Sequence, residues 1–500
     1  MAGIGVRLNK IFNKNTITSN IFGFGYSIVV TIAPMLVVIG AIVIMQYLLD
    51  FSHEGYASRE LFAATVLYVF IFSLLVSSPF SAVLSKYMSD IIYEETFEDI
   101  LPCYYVGLIL AVILGALLGI PFCLWEYFVG EVGLHYVFAG FSGYMTLILV
   151  FYTQLYLLIC KDYRRISMFF IFGMLLTVVL SVILVKLFKW DVCFAMLTSL
   201  DAGFLLTAAL ETSLVKSYFR NNSGQYKRVF HYFKEYWQLI LTNSLYVLGL
   251  YIHNFVFWTT DMHMVVVKSF VMMQPYDMAT CLAMFTNISA SVIFIARVEM
   301  HFHERYRAYS ESVIGGRGMD IENAKSRMFR QLGEELYNLV RVQFIVSVVI
   351  FFIAVIVLPM VGFGGLVMRI YPCLAAGYFI LFIMYSAIIF LYYFSDLTGS
   401  LLTALAFCLS TLLGSIVSAQ FMQEAWFGMG LVFGAFVGWC VAYARLRWVE
   451  RTLDIHIFCR GNLLKRGQGI KPNSKVFDRY LDEQETDEKT VKLDEEAVSV

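Results

Sequence analysis

Residues 166–188 read ISMFFIFGMLLTVVLSVILVKLF, twenty-three positions with a single charge, Lys186, close to their end. A bilayer core of about 30 Å is crossed by roughly 20 apolar residues in a helix. Hydrocarbon offers no partner to a free backbone amide, so the run must satisfy its own hydrogen bonds as a helix. Lys161, Arg164 and Arg165 stand just before it, at the end that a positive-inside orientation places in the cytoplasm.

The same reading extends along the chain. Apolar segments of spanning length fall at about 22–49, 61–83, 102–125, 134–158, 166–188, 192–215, 237–258, 277–296, 342–361, 373–395, 397–419 and 426–444. Alternating ten-residue strands, the barrel signature, are absent. Composition agrees. Hydrophobic residues make up 60% of the 500 positions, charged residues 15%, and the mean hydropathy is +0.74, whereas a soluble domain carries about 25% charged residues. Net charge is −1, which gives no basic field for nucleic acid. The nine cysteines are scattered, without a Cys-x-x-Cys pair, and read as small buried hydrophobes.

With the N-terminus placed in the cytoplasm, the inner connections hold twenty-six lysines and arginines and the outer ones five. The expected fold class is therefore all-α integral membrane, with about twelve transmembrane helices in two six-helix bundles and both termini cytoplasmic. Its expected parts are a cytoplasmic N-terminus (1–21), a first bundle (22–215), a basic linker (216–236), a second bundle (237–444), and a flank with an acidic, disordered tail (445–500). The first apolar run exceeds the roughly 7–15 residues of a signal h-region and reads as a retained anchor. Within the second bundle, 297–341 is expected to be a cytoplasmic segment. Ile321, Ala324, Met328, Leu332 and Leu336 recur there at helical spacing, which suggests an amphipathic helix lying on the inner leaflet. The acidic connection 86–99, with Asp90, Glu94, Glu95, Glu98 and Asp99, reads as a solvated loop or a partner surface.

Function in such a chain rests on polar groups inside the spans, because a mid-bilayer charge costs about 2.5–3.5 kcal/mol and turns to a cavity or a partner. Asp201 is the deepest. With Thr198 and Glu211 on span six, Gln154 on span four, and His253 and Asn254 on span seven, it makes up the candidate substrate path; a structural hydrogen bond is the alternative role for Asp201. Arg297 and Glu299, Asp396 in the turn after span ten, and Arg317, Lys325, Arg327 and Arg330 are candidates for a cytoplasmic gate or partner contact. Asp261 with His263 and His301 with His303 lack a third ligand, so no metal site is expected. No catalytic set and no nucleotide-binding loop occurs either, so neither an enzyme nor a cofactor is expected. Gly430, Gly434 and Gly438, and Gly115 with Gly119, read as helix-packing rows.

The opening Met1-Ala2-Gly3-Ile4-Gly5, then Leu8-Asn9-Lys10-Ile11 and Phe22-Gly23-Phe24-Gly25-Tyr26, resembles the PelG family of Pel exopolysaccharide transporters. Arg297-Val298-Glu299 with Phe302 and Tyr306, and Leu453-Asp454-Ile455-His456-Ile457-Phe458, extend the likeness to about residue 466. The resemblance implies a transporter of the bacterial inner membrane, within the flippase superfamily of multidrug exporters and lipid-linked-oligosaccharide flippases. It also implies a hexosamine-rich exopolysaccharide as substrate, a role in biofilm matrix formation, and partners: the cytoplasmic glycosyltransferase PelF and the membrane proteins PelD and PelE. The rival expectations are a drug or cation antiporter of the same superfamily and a membrane enzyme acting on lipid-linked sugars.

Overall fold

The structure, a computed structural model, describes residues 17–94, 96–160, 162–287, 299–315, 317–360 and 362–460. It is an all-α integral membrane fold. The helices are α1 (Ile17–Leu48), α2 (Tyr56–Tyr93), α3 (Ile100–Phe128), α4 (Leu134–Ile159), α5 (Tyr163–Lys186), α6 (Val192–Tyr218), α7 (Tyr226–Glu235) and α8 (Trp237–Phe257). A short antiparallel hairpin, β1 (Met264–Val266) and β2 (Phe270–Met272), follows α8. Then come α9 (Gln274–Asn287), α10 (Glu299–Gly315), α11 (Gly318–Met360), α12 (Leu366–Tyr393), α13 (Leu397–Phe421) and α14 (Met429–Arg460). Among the described residues ten helices are long and apolar enough to cross a membrane, and α1 adds an apolar stretch at Ala33–Leu48. The expected eighth span is represented by α9, and its remainder lies outside the described residues.

The helices pair in a repeated pattern. In the first half α1 packs on α5, α2 on α4, α3 on α4, and α6 on both α4 and α5. In the second half α8 packs on α13, α9 on α12, and α11 on α12, while α14 lies against α12 and α13 through Gly377, Gly430 and Gly434. One buried core draws on residues between Val38 and Leu239; the other runs from Leu250 to Ala435 and takes in Ala64 and Ile71. The halves meet along α2 and α8.

Lipid tails are as apolar as leucine, so close packing holds such helices together. A Cβ on Gly173 of α5 would lie 2.6 Å from the carbonyl oxygen of Gly203 on α6, and the converse distance is the same. Gly430 packs on the Ser415 backbone and Gly434 on Thr411. The glycine row on α14 is thus an internal packing face, as are Gly115 and Gly119 against Met145, Ile148, Phe141 and Tyr144 of α4.

Pro79 inside α2 removes the amide that would bond Leu75 O. The Ser78 hydroxyl donates to that carbonyl instead, at 2.8 Å. The Asn243 amide of α8 donates across the interface to Ser78 O and to the Ser81 hydroxyl. Asp162, Asp191 and Asp396 cap α5, α6 and α13.

Two expectations need correction. The span expected at 61–83 is part of a 38-residue helix, so most of the acidic connection is helical. Its partner lies in the same chain: Arg228 of α7 pairs with Glu94 at 2.7 Å and Asp99 at 2.8 Å, Asn221 donates to Glu98, and Ser223 donates to Asp99. The amphipathic stripe of 321–336 is not a separate surface helix. It belongs to the 43-residue α11, about 64 Å long at 1.5 Å per residue, because neither proline nor a glycine pair interrupts it before Pro359. That stripe packs on α10, and Phe329 stacks on Phe394 at 5.3 Å.

Among the described residues, those up to 446 form one compact unit and 447–460 belong to another. The described part of the second is the end of α14, where Arg447 pairs with Glu450 at 2.9 Å.

Candidate functional site

Desolvation makes any charge or unbonded polar atom inside the bundle costly, so buried polar groups mark the places where the chain departs from pure packing. In the first half the contact between α4 and α6 carries two carboxyls. Asp201 on α6 is buried, and its Oδ1 rests on Gly143 of α4, a contact only a residue without Cβ permits. It makes no hydrogen bond to a described residue. Ten positions further on, Glu211 is fully buried. Its Oε2 accepts from Thr153 Oγ1 at 2.8 Å, and its Oε1 has no partner among the described residues. The two acids face one neighbour in step, since Gly143 and Thr153 are also ten residues apart. That places them about 15 Å apart along the axis.

Thr153 also lines a cavity of about 490 Å³ between α3, α4 and α6, with Thr212, Ser213 and Lys216 in its wall. Glu211 therefore stands one hydrogen bond behind an open space. Thr198, expected on the same path, is half-buried and donates to Phe194 O at 2.9 Å. Gln154 is half-buried beside Thr153.

The second half carries its polar cluster between α8 and α9. His253 is fully buried; its Nδ1 lies 2.9 Å from the Tyr276 hydroxyl and its Nε2 is unpartnered among the described residues. Asn254 donates to Asp277 Oδ1 at 2.7 Å and to Thr280 at 3.3 Å. Asp277 also accepts from Trp258 Nε1, at 3.0 Å to each oxygen, and from the Met273 amide at 3.2 Å. Sequence reasoning missed Asp277. It begins the span it belongs to and so looked interfacial, but the Trp258 indole brings it inside.

A second missed feature is a row of tyrosines on α12: Tyr371, Tyr378, Tyr385 and Tyr392. The spacing of seven keeps them on one face, drifting about 20° per step, and 21 residues cover about 31 Å. Tyr371 shares a 2.7 Å hydrogen bond with Thr286, Tyr378 lies edge-on to His253, and Tyr385 stacks on Tyr246 at 4.5 Å. Tyr392 packs against both hydrophobic cores. The row was legible as a heptad of one residue type in an apolar helix, but general aromatic richness hid it.

The gate and partner candidates separate. Asp396 is fully buried and accepts from Arg445 Nε at 2.9 Å and Nη2 at 2.8 Å while it caps α13 through the Gly399 amide at 3.1 Å. Burial pushes its pKa up, but the Arg445 bonds and the Gly399 amide outweigh this and hold it below the usual carboxylate range. Arg317 precedes α11, and its amide bonds Asp320. Lys325, Arg327 and Arg330 stand on the first turns of α11, where Arg330 pairs with Glu334 at 3.7 Å in exposed positions. Glu299 opens α10. Arg297 lies outside the described residues. No group of three or more metal-ligating side chains occurs among the described residues.

The profile of a family described as "PelG: Putative exopolysaccharide Exporter (EPS-E)" matches residues 1–458. No curated protein matches in sequence. Solved structures that resemble the chain include an outward-facing multidrug resistance MATE family transporter of the MOP superfamily, with a TM-score of 0.57 and 15% identity over 86% of this chain and 95% of that one. An inward-facing conformation of a MATE family transporter gives a TM-score of 0.58 and 13% identity over 86% and 99%. A MOP superfamily transporter from Pyrococcus furiosus gives 0.55 and 13% over 86% and 95%. At such identities the likeness is one of fold, and both transport states match equally well.

Proposed function

The chain belongs to the PelG family of exopolysaccharide exporters, a transporter rather than an enzyme family, and from that premise we propose that it passes a hexosamine-rich polysaccharide outward across the cytoplasmic membrane for a biofilm matrix. The family match over 1–458 is the observation that carries this reading. In it, the two bundles rock about the α2–α8 seam, the polymer enters from a cytoplasmic glycosyltransferase of the PelF kind, and proteins of the PelD and PelE kind complete the assembly.

The residues proposed to serve the path are Asp201, Glu211, Thr198 and Gln154 in the first half and His253 and Asn254 in the second, joined by the tyrosines of α12. A pyranose ring presents CH faces that pack on aromatic rings and hydroxyls that bond carboxyl, amide and imidazole groups, and the buried polar clusters offer these together. Asp201 and Glu211 both turn toward α4, so they reach a substrate when α4 and α6 part. Arg317, Lys325, Arg327 and Arg330 are proposed to meet the synthase or anionic headgroups. The antiporter reading rests on the shared fold and on Asp201 alone.

Deletion of the gene in a producing cell tests the proposal, with polymer measured inside and outside. Loss of secreted polymer with material retained in the cytoplasm, restored by the intact chain, supports it. Unchanged secretion refutes it.

A further inference from the structure

Between α2, α3, α4 and β2 lies a cavity of about 310 Å³ whose thirteen described lining residues include six aromatics: Tyr68, Phe72, Phe122, Phe141, Tyr144 and Phe270. The volume sits at the small end of the roughly 300–1,000 Å³ typical of ligand pockets, which suits one sugar ring with its substituents. Its walls are fixed in advance. Tyr68 stacks on Trp258 at 5.0 Å and 6° on one side and on Phe122 at 5.6 Å on another. Its hydroxyl donates to Val271 O at 2.8 Å and accepts from the Val271 amide at 3.1 Å. The open volume exists partly because Gly119 and Gly140 stand in the wall.

One acid, Glu126, faces this space. It is 4% exposed, and its carboxyl has neither a hydrogen bond nor an ion pair among the described residues. Nothing about the fold calls for it. A carboxylate near the C-terminal end of a helix opposes the macrodipole, and Glu126 stands two residues before Phe128, the last of α3. Lys268 of the hairpin binds the exposed Glu131 at 2.8 Å. A buried acid without a partner carries the full desolvation cost, which an incoming donor would offset.

We propose that this cavity is a binding station for a single amino-sugar unit of the exported chain, at the face that the distribution of basic residues assigns to the outside. The aromatic walls take the CH faces of the ring, and Glu126 accepts from its amine and a neighbouring hydroxyl. A cationic amine also gains from the surrounding ring faces, and no basic residue stands among the described lining residues, which disfavours an acidic sugar. The proposal rests on the export reading, takes its amino-sugar polymer as given, and adds a binding site for one unit of it.

The test uses the full chain in lipid nanodiscs, titrated by calorimetry with a glucosamine tetrasaccharide and with a glucose tetrasaccharide. Two variants accompany it. Glu126→Gln keeps the shape, and Gly140→Leu fills the space from a position whose nearest neighbour to a new Cβ is Thr65 Cγ2 at an ordinary 3.5 Å. The glucosamine probe should bind more tightly than the glucose probe, weaken about tenfold or more with Glu126→Gln, and be lost with Gly140→Leu. Absent binding, equal binding of the two probes, or unchanged affinity in both variants overturns the proposal; the last result places the probe elsewhere. A lipid chain found in the cavity that the probe does not displace overturns it too. Polysaccharide secretion separates the two ideas. If secretion requires the chain yet both variants secrete normally and titrate flat, the station falls and the export reading stands.

Discussion

Arg445→Ala should destabilise the protein more than its position at the end of a membrane helix suggests. Asp396 accepts four hydrogen bonds: from Arg445 Nε at 2.9 Å and Nη2 at 2.8 Å, from the Gly399 amide at 3.1 Å, and from Thr398 Oγ1 at 3.2 Å. The substitution removes two of them and leaves a carboxylate with 0% exposure and no counter-charge. Losing one partner of a buried pair costs about 3–5 kcal/mol. Asp396→Asn should be milder. Its amide oxygen keeps the Gly399 cap, and Arg445, at 23% exposure, can turn to water, so the loss is nearer the ~1.5–3 kcal/mol of a bond to a charged group. The double variant Arg445→Ala/Asp396→Asn removes the stranded charge and should be more stable than Arg445→Ala alone. Thermal unfolding of the four proteins in nanodiscs measures this order. The pH dependence of the parent has a defined sign. A carboxyl with a depressed folded pKa contributes stability above its unfolded value, about 3.9, and loses it as pH falls through the folded value. The pair's contribution should therefore stay constant through the neutral range and fade only in acid. A parent-like melting temperature for Arg445→Ala, or a double variant less stable than that single one, would refute the reasoning.

Asp201→Leu should abolish secretion at normal abundance if the carboxyl serves the path, whereas a structural role predicts a reduced amount of folded protein; normal values of both contradict each role. Asp201→Asn, which keeps the shape and removes the ionisable group, separates ionisation from geometry in the same assays. Gly434→Leu would press a side chain into the Thr411 backbone, whose Cα lies 2.8 Å from a new Cβ, so α13 and α14 must part and membrane-inserted protein should fall several-fold; wild-type levels refute the close packing. Cysteines placed at Gly55 and Met262 should label with an impermeant reagent in intact cells and one at Asn221 should not, and labelling at Asn221 overturns the assigned orientation.

The spans were legible because hydrocarbon imposes one requirement that composition reports directly: about 20 apolar residues with every amide bonded internally. The glycine rows were legible for a similar reason, since small residues at a spacing of four have few other uses in a membrane helix. Pairings between distant segments were not. Nothing local links Arg228 to Glu94 and Asp99, more than a hundred residues apart, so an acidic stretch read as a solvated loop or a surface for another partner. The stripe at 321–336 was read correctly as helical, but its junction with the following span was hidden by the change from amphipathic to wholly apolar pattern. Among the polar candidates, Asp201, Glu211, His253 and Asn254 stood out as exceptions inside apolar runs, whereas Asp277 and Glu126 sat at the ends of runs, where sequence alone assigns them to water.

Inverted membrane vesicles that contain the glycosyltransferase and its membrane partners test the central claim most directly. The labelled sugar nucleotide is supplied to the exposed cytoplasmic face, and polymer is scored by its protection from an added glycoside hydrolase. With the chain present, labelled polymer should accumulate in the protected lumen; without it, polymer should remain digestible. Equal protected polymer in vesicles lacking the chain would contradict the account.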